Sequence, residues 1–153
     1  MPRTPNSHVQ QCAALICAYL SGDEEGCAVL RAESELTYRQ WRESAVVVAA
    51  TVMVLLAHVR DREPLDVLCA FVSERHEVFA GGRDGAAALA VIAHYHLQRE
   101  ILDDGDVVVD VVPSLFDIAI SAVVELARGW SRPAIEVARL LVVGAATYQR
   151  PVW

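Results

Sequence analysis

The chain contains no lysine. All thirteen of its basic residues are arginine. Chemistry that needs a lysine amine is therefore closed to it: Schiff-base catalysis, pyridoxal phosphate attachment, and the lysine that phosphate loops and kinases place on a nucleotide. No run of arginines occurs either, and the net charge is −7. A nucleic-acid partner needs a basic stripe to neutralise its phosphates, so the acidic balance argues against one.

Other motifs are also missing. The four cysteines, Cys12, Cys17, Cys27 and Cys69, form no Cys-x-x-Cys. His8 and Cys12 share a helical face, but Cys17 lies five residues on and points away, so no zinc spacing results. The positions three before His58, His76, His94 and His96 are Leu55, Ser73, Val91 and Ala93. The Glu-x-x-His pairs of carboxylate-bridged metal bundles are thus absent, as is His-Glu-x-x-His. Asp103, Asp104, Asp106 and Asp110 cluster without the twelve-residue calcium-loop pattern. Residues 81–85, GGRDG, could offer amides and Arg83 to an anion, but fit neither dinucleotide nor phosphate-loop patterns. No Gly-x-Ser-x-Gly elbow occurs. The expectation is no catalytic residue, no metal and no cofactor.

What the chain does have is apolar residues. They make up 54% of its 153 residues, against 22% charged, and the mean hydropathy is +0.32. The excess has to enter a core, a subunit interface or a membrane. A long uncharged and mostly apolar run is residues 45–59, AVVVAATVMVLLAHV, bounded by Glu43 and Ser44 on one side and Arg60 to Glu63 on the other. A bilayer span needs about 20 apolar residues. Fifteen residues, ten of them Ala or Val, fit a central helix that neighbours approach closely. The polar start MPRTPNSHVQQ lacks the basic opening followed by an apolar h-region that marks a signal peptide. Together with unpaired thiols, that predicts a cytoplasmic protein without a membrane span.

Apolar spacing is helical nearly throughout, which predicts an all-α, single-domain bundle of about five to six helices over residues 1–153, with 1–7 a flexible N-terminus. Residues 8–20 form the first helix, ended by Gly22, and a short one follows over 22–33. Thr37 and Gln40 form a capping box, with Leu36 and Trp41 as its hydrophobic staple, opening a long helix from Tyr38 to about Val59. Pro64 opens a helix through about Phe79. Asp84 caps the next, over residues 85–103. Val107 to Val112 suits either a strand or a helix; the favoured helix runs from about Pro113 to Arg128 and ends at Gly129. The last is capped by Ser131 or Arg132 and reaches about Tyr148. No internal repeat is evident.

Function is carried by composition and by a few inward polar groups. The leading expectation is association: a homodimer with a regulatory or accessory role, using the long helix and residues 133–148 as interface. The alternative is a small-molecule-binding bundle, with an apolar cavity whose polar contacts are His76, Tyr95, His96 and Glu100. His96 and Glu100 are four apart and can meet. A histidine–carboxylate enzyme is the remaining reading, and the absence of catalytic motifs weighs against it.

Overall fold

The computed structural model describes residues 5–33, 35–74, 83–98 and 112–145. These form seven helices: α1 (Pro5–Leu20), α2 (Glu24–Glu33), α3 (Tyr38–Arg60), α4 (Pro64–Glu74), α5 (Arg83–Gln98), α6 (Val112–Trp130) and α7 (Ala134–Ala145). The all-α bundle with a long apolar helix holds, with slightly more helices than expected. Residues 107–111 and the expected helix ends at 75–79, 99–103 and 146–148 lie outside the described residues. Residue 112 belongs to α6.

Local chemistry explains the helix starts. Thr37 Oγ1 accepts from the Gln40 amide at 3.2 Å, and the Thr37 amide donates to Gln40 Oε1 at 2.9 Å. The capping box therefore forms as its sequence requires. Asp23 caps α2, accepting from the Gly26 amide at 2.8 Å. Two boundaries move relative to the sequence reading. α1 already includes Pro5 to Ser7, and α5 starts at Arg83, before the expected cap at Asp84.

A third boundary changes meaning. Gly129 does not stop α6; the helix runs through Trp130. The chain turns instead at Ser131, with φ of 54°. A Cβ at Gly129 would lie 2.9 Å from Val59 Cγ1 on α3. Glycine is present here because two helices cross too closely for a side chain.

The α3 and α6 helices form the centre of one hydrophobic cluster, to which α1, α4, α5 and α7 also contribute. The pair is parallel. Near the start, Trp41 of α3 meets Phe116 of α6, ring centroids 6.1 Å apart. Near the end, Val59 meets Gly129, and Arg60 pairs with Glu125 at 3.3 Å. By length and composition α3 could cross a membrane, with mean hydropathy 1.6 over its best window. In the bundle 67% of that window is buried. Burial extends past the uncharged run, since Arg42 and Ser44 are each only 1% exposed. The polar residues ahead of the run thus belong partly to the core.

The helix pairs α3–α4 and α6–α7 repeat one another. Asp61 and Ser131, seventy positions apart, both take left-handed φ values, 51° and 54°. The Arg62 amide donates to Ala57 O at 3.0 Å, and the Arg132 amide to Ala127 O at 2.9 Å. Each is the six-to-one bond of a Schellman ending. At the same spacing Ser44 matches Ser114, Ala49 matches Ala119, Leu56 matches Leu126, Ala57 matches Ala127 and Val67 matches Val137, and all ten are buried. Val59 and Gly129 are also equivalents, and each faces the other. Two parallel helices that present the same position to each other are related by an approximate twofold axis between them.

The Ser44 hydroxyl is buried and has no hydrogen-bond partner among the described residues. Leaving it unsatisfied costs free energy, and alanine is the better helix former. Ser44→Ala should therefore stabilise the protein by about 1 kcal/mol in urea unfolding. A loss of stability would show that the hydroxyl is satisfied after all.

Candidate functional site

The four side chains proposed from sequence do not all fall within view. His76 and Glu100 lie outside the described residues. Tyr95 is 3% exposed and belongs to the core cluster. His96, beside it on α5, is half-buried and lines a gap of about 10 Å³ against α3 and α4, with Met53, Leu65 and Leu68 among its neighbours. That volume is on the scale of a single water.

Two larger cavities lie elsewhere. The first, an open cleft of about 440 Å³, is lined by Leu15, Ile16 and Tyr19 of α1, Arg31 of α2, Trp41 of α3, and Val112, Pro113, Phe116, Asp117 and Ile120 of α6. Its walls are positioned by signals already described. The capping box sets the start of α3 and so the place of Trp41, which tilts 54° against Phe116. Asp23 and the left-handed Gly22, φ 73°, set the start of α2, whose outer face carries Arg31. Partial burial pushes the Asp117 carboxyl above its ordinary value of 3.8, because leaving water penalises the charged form. Asp117 and Arg31 line the same cavity without pairing, and neither makes a side-chain hydrogen bond or ion pair among the described residues.

The second cavity, of about 310 Å³, lies between α3 and α7 under Val9. Its walls include Val47, Thr51, Leu55, Trp130, Val137, Leu140, Leu141 and Gly144, and none of its lining residues is charged. The repeat gives this cavity a counterpart. Leu55, Trp130 and Leu141 correspond to Glu125, Arg60 and Phe71 at the seventy-residue spacing. On that other side Glu125 accepts from Arg60 at 3.3 Å and from Arg128 at 2.9 Å. The Arg60 guanidinium also lies 5.8 Å from the centre of the Phe71 ring, within cation–π range. One copy of the corner is thus closed by a charged cluster, and the other is left apolar and open.

Sequence reasoning anticipated Trp41, as a staple, but not Phe116, Asp117 or Arg31. A signal was present: Asp117 is the only charge from Val112 to Val124, in a helix otherwise apolar over that stretch. Among the described residues no group of three or more His, Cys, Asp or Glu could hold a metal ion. All four cysteines are free, and Cys12 is wholly buried. Burial pushes its thiol far up, which keeps it protonated and unreactive.

The raised Asp117 carboxyl has a consequence for stability. The folded state holds this proton more tightly than the unfolded state. Stability from this group is therefore complete below the ordinary value of 3.8 and falls as pH rises through the folded value. Asp117→Asn removes the charged form. Its stability relative to the parent should rise with pH above about 4 and then level off above the folded value, read from urea midpoints across pH 3–7. An unchanging difference across that range would rule out desolvation at Asp117.

No family model matches this chain, and neither the curated proteins nor the solved structures searched contain a match to it.

Proposed function

We propose that this chain acts through association, with a second copy of itself as the partner, docked through the open face of α3 and α7. The observation that carries this reading is the exposure of large apolar side chains around the second cavity. Leu140 is 56% exposed, Val143 68% and Trp130 39%. Such a contiguous apolar face is a mark of interaction surfaces.

Three features favour a second copy. A twofold contact needs one patch that complements itself. This face has both protruding groups, Leu140 and Val143, and a hollow of about 310 Å³ next to them. Two chains of net charge −7 repel each other, and the lining of this hollow adds no charge to that repulsion. The turn before α7 and α7 itself carry both signs, Arg132, Glu136 and Arg139, with Arg132 and Glu136 3.6 Å apart, so mixed charge is available beside this face to either copy.

In this reading α3 is a core helix rather than a membrane span, and the protein is cytoplasmic, with a regulatory or accessory role and no catalysis of its own. The burial of two-thirds of the apolar window of α3 and of Arg42 within the bundle supports that part.

Sedimentation equilibrium at micromolar concentration should give a dimer. Leu140→Glu, at an exposed position, should give a monomer of unchanged helicity. A compact monomer for the parent protein would overturn the proposal.

A further inference from the structure

The first cavity has a different character from the open face, and it shares no lining residue with it. At about 440 Å³ it falls in the size range of small-molecule sites. Its interior is apolar: Ile16 is fully buried, and Trp41 and Phe116 present two aromatic rings tilted against each other. Its rim is charged, with a carboxylate at Asp117 and a guanidinium at Arg31.

The two charges are complementary, and among the described residues neither is paired. Asp117 is partly withdrawn from water with no cation paired to it among the described residues. Arg31, at an exposed position, lines the same cavity with no carboxylate paired to it among the described residues. A bound cation at Asp117 would offset its lost hydration, and a bound anion would use the planar fork of Arg31. An aromatic group attached to the carbon skeleton that carries both charges would rest against the Trp41 and Phe116 rings, where it packs in an offset or edge-to-face manner.

We propose that this cavity is a binding site for a compact aryl zwitterion, a molecule with an ammonium group, a carboxylate and one aromatic ring. The ammonium group is held by Asp117, the carboxylate by Arg31, and the ring by Trp41 and Phe116. This proposal stands independently of self-association.

Three probes separate the contributions: phenylalanine, which carries both charges; phenethylamine, which has the cation alone; and 3-phenylpropionate, which has the anion alone. Calorimetry on the full chain would read affinity, and the Trp41 indole resonance would report the location. Phenylalanine should bind and shift the Trp41 signal. Asp117→Asn should weaken phenylalanine and phenethylamine at least tenfold while leaving 3-phenylpropionate unchanged. Arg31→Gln should weaken phenylalanine and 3-phenylpropionate and spare phenethylamine. Circular dichroism checks that each variant remains folded. Two outcomes overturn the proposal: no probe binding at about 10 mM, or phenylalanine binding that is indifferent to Asp117→Asn. If a variant fails to fold, the Trp41 shift on the parent protein decides: a shift with phenylalanine that exceeds those of both single-charge probes supports the site, and its absence overturns it.

Discussion

The contact between Val59 and Gly129 governs how close the two central helices come. Gly129 has no side chain, so the Val59 methyl comes within 2.9 Å of where a Cβ would be. Along the rest of the pair, small residues such as Ala49, Ala119, Ala57 and Ala127 are buried. Close approach removes a large apolar area from water and increases dispersion contacts, both of which favour folding. It also leaves little freedom in the register of α3 on α6. The other helices then pack onto a pair whose relative position is already set.

That pair has approximate twofold symmetry, but the side chains on its two flanks differ. On one flank Arg60, Glu125 and Phe71 close the corner with ion pairs and a cation–π contact. On the other, Trp130, Leu55 and Leu141 take the same places and leave a hollow. The backbone turn is the same on both sides while the side chains around it differ. The backbone constraint is the Schellman ending with a left-handed residue, met by Asp61 in one copy and Ser131 in the other. The charge pattern on the flanks is not needed for that turn, so the two flanks can differ. The aromatic cavity at the other end of the pair arises in the same way, where the start of α3 meets the start of α6 and α2 brings Arg31 across.

Much of the fold could be read from the sequence. Helical periodicity gave the class, and the Thr37–Gln40 box gave the start of α3, because both depend on residues close in the chain. Features that depend on distant residues were missed. Gly129 reads as a helix stop when only its own segment is considered; its role depends on Val59, seventy positions away. The burial of Arg42 could not be read either, because whether an arginine can be buried depends on what surrounds it in the fold. The repeat was hidden by unlike residues at equivalent places, such as Arg60 and Trp130 or Glu63 and Pro133. Of the proposed site, Tyr95 lies in the core with Ala88, Val91 and Ile92, and His96 is half-buried beside it. The gap at His96 was not foreseeable, because free volume is left by the packing of three helices, and there that packing leaves about 10 Å³.

The account depends most on α3 and α6 being parallel and meeting at equivalent positions. A carbon-edited nuclear Overhauser spectrum of the labelled protein tests this directly. The account predicts strong cross-peaks between the Val59 methyls and the Gly129 α-protons, and between the rings of Trp41 and Phe116. Cross-peaks linking Val59 to Ser114 or Leu115 instead, at the opposite end of α6, would mean antiparallel helices and would contradict it.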